Sequence, residues 1–200
     1  MKKVFYLMIA IAFMGVGCSS SPKVLTDSES QEFVSATLSS NDFEVAAQSM
    51  LNDMLAHELA SPKPNGQPYI MKVSEIVNDT QQRLNMRDLT MFITKEVRRS
   101  GNVKATNSFG SNRNSDVAAS RELAESSLVD KSTVKKNNTV KAFDLSLTGR
   151  ISQKNTNVDR RNKLIEYTFD LSLTDVSDGT ELWSDYKIIK KLVDKDTQTW

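Results

Sequence analysis

The amino-acid sequence predicts an α+β fold, an antiparallel-rich sheet with helices packed on it, and three observations carry that reading. Phe143, Leu145, Leu147, Gly149 and Ile151 alternate with Asp144, Ser146, Thr148 and Arg150. Ile165, Tyr167, Phe169, Leu171 and Leu173 alternate likewise with Glu166, Thr168, Asp170, Ser172 and Thr174. Period-two patterning of this length argues for antiparallel strands with one buried and one wet face. Upstream, Phe43, Ala46, Ala47, Met50, Leu51, Met54, Leu55 and Leu59 recur at three- and four-residue spacing, one face of an amphipathic helix. Helices followed by a β-meander settle into one layer of each.

The chain starts Met1-Lys2-Lys3, runs apolar from Val4 to Val16, and reaches Gly17-Cys18. A positive start, an apolar core and a small-residue exit make residues 1–17 a secretory signal. The apolar run falls short of the roughly 20 residues that cross a bilayer. Gly15-Val16-Gly17-Cys18 resembles the cleavage pattern of bacterial lipoproteins, with glycine where leucine is commonest. That resemblance implies cleavage before Cys18, the only cysteine, and acylation on its sulfur and nitrogen. One acyl chain anchors marginally, at about 0.8 kcal/mol per buried methylene, whereas several hold firmly. Without a second cysteine there is no intrachain disulfide, so stability rests on a packed core.

Residues 18–41 are rich in Ser, Thr and acids and read as a lipidated cysteine with a flexible tether. Such a tether spans at most ~80 Å when stretched and averages ~25–30 Å as a coil. One globular domain over 42–193 and a tail over 194–200 complete the chain. Formal net charge is +1, and removing Lys2 and Lys3 leaves the mature part near neutral. No large field exists to attract nucleic acid or an anionic membrane surface.

Within the domain, Asn41 or Asp42 is placed to cap the first helix, which Pro62, Pro64, Gly66 and Pro68 end in a loop. Tyr69 to Val77 is a strand-length run turned by Asn78-Asp79-Thr80. Leu89, Phe92, Ile93, Glu96 and Val97 mark a second helix, closed by Gly101, with Lys95, Arg98 and Arg99 near its negative end. A short strand is expected at Val103 to Asn107, a polar loop at Phe109 to Asn114, a helix at Asp116 to Ser127, and a further helical turn within Val129 to Thr139. Asp178-Gly179 turns the chain into a third strand carrying Leu182, Trp183, Tyr186 and Ile188. Trp183 reads as a core residue.

These elements in this order resemble the LpoB family, outer-membrane lipoproteins that activate penicillin-binding proteins. The resemblance runs from about Asp42 to Lys191. It rests on Cys18, the strand into Asn78-Asp79-Thr80, the helix ending Val97-Arg98-Arg99-Ser100-Gly101, the segments Phe143 to Gly149 and Tyr167 to Asp175, and Gly179-Thr180-Glu181-Leu182-Trp183. It implies a fold like the N-terminal domain of TolB. It also implies a membrane-anchored protein, facing the periplasm from the outer membrane, that binds and stimulates a bifunctional peptidoglycan synthase. The alternative is a structural or assembly lipoprotein of an envelope or secretion complex.

Nothing in the sequence calls for an enzyme, a cofactor or a metal. The lone histidine, His57, lies in the first helix without a nucleophile pattern around it. Clustered Cys and His are ruled out by count, and the scattered glycines make no phosphate loop. Asp170 belongs to a wet strand face, and Asp175 and Asp178 flank a turn, where aspartate commonly sits. Two surfaces are candidates for docking a partner. One is the polar sheet face of Asp144, Ser146, Thr148, Glu166, Thr168, Asp170 and Ser172, whose ordinary reading is solvation. The other is the basic tip at Arg160 and Arg161, within a segment Lys154–Lys163 expected to join two strands.

Overall fold

The computed structural model describes residues 38–108, 114–134 and 139–196. Cys18 and the signal lie outside these, as do residues 109–113 of the expected polar loop and 135–138. The described chain begins at Leu38, which is buried and donates its N–H to Gln82 Oε1 at 3.2 Å.

Helix α1, Ser40–His57, is capped by Ser39 rather than by Asn41 or Asp42. Ser39 Oγ accepts from the Asp42 N–H at 3.3 Å, and Asp42 accepts from the Ser39 N–H at 2.9 Å. This reciprocal box works with Asp where Glu or Gln is usual. Lys191 Nζ donates to the same carboxylate at 2.7 Å, tying the start of α1 to the last strand. Burial alone raises the Asp42 pKa, but hydrogen bonds from Lys191 and Ser39 and the charge of Lys191 outweigh it. The net shift is below the ordinary 3.8. A depressed folded pKa contributes stability that is present above the unfolded value and lost as pH falls through the folded one. Asp42→Asn is therefore expected to cost about 1 kcal/mol at neutral pH. The difference from the parent should be smaller at an acid pH below the ordinary 3.8 and vanish as pH falls through the depressed folded pKa. Urea midpoints at the two pH values measure it; an equal gap at both would refute the assignment.

The sheet has the order β3-β1-β4-β5-β6, with β2 also paired to β4. Its strands are β1 Tyr69–Val73, β2 Val77–Asp79, β3 Val103–Ala105, β4 Leu145–Asn157, β5 Asn162–Asp175 and β6 Glu181–Asp194. β4, β5 and β6 form the expected antiparallel meander, whereas β1, β2 and β3 pair in parallel. The run from Tyr69 to Val77 is thus two strands. Between them the chain steps inward at Ile76, which is fully buried. Asn78 and Asp79, expected in a turn, belong to β2; the turn follows, with Asn78 Oδ1 accepting from Thr80 N–H and Oγ1 at 3.1 and 2.7 Å.

Helix α2, Met86–Arg99, buries Leu89, Ile93 and Val97 and stops before Gly101, whose φ of +79° suits glycine. Arg99 pairs with the buried Glu96 at 3.0 Å. Strand β3 ends at Ala105, short of the expected Asn107. Helix α3, Ser115–Glu125, is capped by Asn114 and buries no side chain. The further helical turn expected after Val129 is absent among the described residues, where Asp130 to Thr133 instead makes a local turn.

The segment Lys154–Lys163 is mostly strand. Lys154 to Asn157 extend β4, Asn162 opens β5, and only residues 158–161 turn. Asp159 organises that turn by accepting from the Arg161 and Asn162 N–H groups, both at 2.7 Å. Together with the Asn162 side chain, these bonds hold its pKa below the usual range.

The core lies between α1, α2 and one sheet face. Tyr167, Phe169, Leu171 and Leu173 of β5 meet Met50, Leu51 and Met54 there, and Phe43 packs edge-on to Phe169 at 6.2 Å. β6 carries apolar residues on both of its faces. Its register places Trp183 beside Leu173 and Ile189 beside Tyr167 on the packed face. Leu182, Tyr186 and Ile188 therefore point to the other side, with Tyr186 60% and Ile188 48% exposed. Trp183 is half-buried, as a core residue at the margin, and donates to Asp53 at 3.0 Å.

Candidate docking face

Among the described residues α1 lies against one face of the β4–β5–β6 meander, with α2 beside it over β1 and β3, and the side chains of the meander's other face are exposed or half-buried. Alternation assigns that face Ser146, Thr148 and Arg150 from β4, Glu166, Thr168, Asp170 and Ser172 from β5, and Tyr186, Ile188 and Lys190 from β6. Thr148 is opposite Ser172 and Arg150 opposite Asp170. Asp170 is in turn opposite Tyr186, Thr168 opposite Ile188, and Glu166 opposite Lys190. Facing side chains in such pairs lie roughly 5 Å apart at Cβ, so the set forms one surface.

Its electrostatics are local. Burial pushes the Asp170 pKa up, and the Arg150 charge with a backbone hydrogen bond only partly offsets this. Lys190 pairs with Glu166 at 3.2 Å. Ser172 and Ser184 donate to Glu181 at 2.7 and 2.8 Å and lower its pKa. At the following turn, Ser177 donates to Asp175 and lowers that pKa too. The middle of the face is thus a Thr168–Asp170–Tyr186–Ile188 patch bordered by charges that are largely matched. Such a surface offers an aromatic and an aliphatic contact with a polar surround, the usual anatomy of a protein interface.

The structure brings six of the sequence candidates together: Ser146, Thr148, Glu166, Thr168, Asp170 and Ser172. Asp144 stands apart, because its carboxylate accepts from the Ile70 N–H at 2.7 Å and pairs with Lys63. It holds β1 to the start of β4. Arg160 and Arg161 lie in the turn at the far end of the β4–β5 hairpin. At ~3.3 Å per residue that is more than 30 Å along β4 from Ser146. Sequence reasoning placed Tyr186 and Ile188 on the third strand without assigning them a face, and so left them out of the docking surface. The available signal was that β6 carries apolar residues at both parities, so one set had to face outward.

His57 is exposed and sits 3.4 Å from Asp53, one turn away on α1. Among the described residues no cluster of three or more His, Cys, Asp or Glu is arranged to hold a metal.

A mixed sheet with its two long helices on one face and an uncovered, mostly polar meander surface on the other defines an α+β module. A family model described as peptidoglycan-synthase activator LpoB matches residues 42–189. The chain belongs to the LpoB family. Among solved structures it is similar to the LpoB C-terminal domain from Salmonella enterica, at 16% identity and a TM-score of 0.45, covering 74% of this chain and 98% of that one. The LpoB C-terminal domain from Escherichia coli matches at 14% identity and 0.45, with the same coverage. The NMR structure of E. coli LpoB matches at 15% identity and 0.42, covering 90% of this chain and 86% of that one. No curated protein matches the chain in sequence.

Proposed function

We propose that this protein is a lipid-anchored envelope protein, held to the outer membrane through Cys18, that binds a penicillin-binding protein and stimulates its peptidoglycan synthesis. The observation that carries the reading is the family match over residues 42–189. Two further observations support it. The free face of the meander suits a protein partner, with Tyr186 as its most exposed aromatic. A tether over residues 18–37, ahead of the buried Leu38, would span at most ~65 Å, so the partner must come within that reach of the anchor. The role proposed for the domain is to bind and regulate, without chemistry of its own.

The test uses the full mature chain and a bifunctional synthase from the same organism. Binding together with faster glycan polymerisation or crosslinking is the expected result. Absence of both, with the chain shown to be folded, would sink the proposal. Binding with no change in rate would leave an assembly role in its place.

A further inference from the structure

The outward side of α2 borders a groove of about 950 Å³. Arg87, Lys95 and Arg98 line it, with Met91 and the half-buried Phe92 between them and Glu44 of α1 as an acidic member of the lining. Among the described residues none of the three cations makes an ion pair or a side-chain hydrogen bond, unlike Arg99 on the same helix. Met91 is 60% exposed. The core-facing residues of α2 are Leu89, Ile93 and Val97, so this groove lies on the helix layer and away from the free sheet face.

Helical rise places Arg87, Met91, Lys95 and Arg98 at roughly 0, 6, 12 and 16 Å along the axis. The row therefore reads cation, apolar, cation, cation on one face over three turns. Charges left unpaired beside an exposed apolar side chain match a ligand carrying both features at the same spacing. A protein helix with acids at i, i+8 and i+11 and an apolar residue at i+4 supplies that set from one face. A flat bilayer surface does not enter a recess, and a uniform polyanion makes no use of Met91 or Phe92. We propose that this groove receives an acidic amphipathic helix of a protein partner, a second docking surface on the side opposite the sheet face. The inference does not depend on the synthase reading, because it rests on a different set of residues.

The experiment titrates the full mature chain with a synthetic helical peptide of about 16 residues, its glutamates spaced to meet the three cations and a leucine between them. Saturable binding is expected, and it should be lost when lysines replace the glutamates. Combining Arg87→Glu, Lys95→Glu and Arg98→Glu should weaken binding at least about tenfold, the sum of three modest surface pairs. Met91→Ser should weaken it a few-fold. If the triple variant does not melt cooperatively, Lys95→Glu alone replaces it, with about a two-fold loss expected. No binding of the glutamate peptide, or equal binding by the charge-reversed chain, overturns the proposal. So does dextran sulfate or an anionic vesicle binding as tightly with no effect of Met91→Ser, which would make the groove a general anion site.

Discussion

Gly149→Ala is expected to lower stability by about 3 kcal/mol, at the upper end of ordinary overpacking. A Cβ at this position would stand 2.7 Å from the Asp170 backbone oxygen, 2.7 Å from Leu171 Cδ2 and 3.0 Å from Ile76 Cδ1. The two side chains can rotate to some extent. The carbonyl belongs to the β4–β5 ladder, so moving it means opening the sheet where the core is thickest. Gly149 lies among the apolar positions of β4, and the absence of a side chain there is what lets Ile76 reach the sheet. For a domain of this size the loss corresponds to a melting temperature lower by about 6–12 °C. In a Leu171→Ala background, itself destabilised by the lost core side chain, Gly149→Ala should cost less than in the parent but not nothing, because the backbone contact persists. A Gly149→Ala chain melting within about 2 °C of the parent would contradict this packing.

The same contact explains what the sequence hid around it. Alternation made β4 and β5 legible because both bury one face and wet the other along most of their length. It said nothing of Ile76, since the step between β1 and β2 is produced by the space above Gly149, which no local pattern encodes. The Lys154–Lys163 segment looked like a loop for a related reason. Lys154 to Asn157 are exposed on both sides of β4, so no period marks them as strand. Backbone pairing carries that part, from Lys154↔Glu166 through Asn157↔Lys163. Ser39 was passed over as a cap because the apolar face of α1 begins only at Phe43, which drew the expected start toward Asn41 and Asp42.

The docking face divides along the same line. Its β4 and β5 members were legible from alternation alone. Its β6 members were not, because the parity of β6 follows from pairing across the hairpin. The register shifts between Leu173 and Thr174, where Leu173 pairs with Trp183 and Thr174 with Glu181. Leu182 is therefore the extra residue of a bulge, a device that re-aims side chains without altering composition. Lys187, Lys191 and Asp185 then lie on the packed side, at the edge strand. Lys191 is not wasted there, since it joins Asp42 at the start of α1. Charges turned inward on an edge strand also discourage unwanted strand pairing.

Tyr186→Ala and Trp183→Ala should have opposite effects, although the two residues are only three positions apart on one strand. Tyr186 projects from the free face, opposite Asp170 and beside Ile188. Its loss leaves the core untouched, so stability should change by no more than about 0.5 kcal/mol. An exposed aromatic at the centre of a protein interface is typically worth about 2 kcal/mol, so binding to the synthase should weaken about 30-fold. Trp183 faces the helices, packs beside Leu173 and donates to Asp53. Its removal should cost about 2 kcal/mol of stability through lost burial and the lost hydrogen bond, with binding by the folded fraction unchanged. Denaturant midpoints and titration with the synthase separate the two quantities. Equal destabilisation by both substitutions would mean that the β6 register is wrong. Unchanged binding by the Tyr186→Ala chain would move the synthase contact off the sheet. The α2 groove would then be the next surface to test against the synthase.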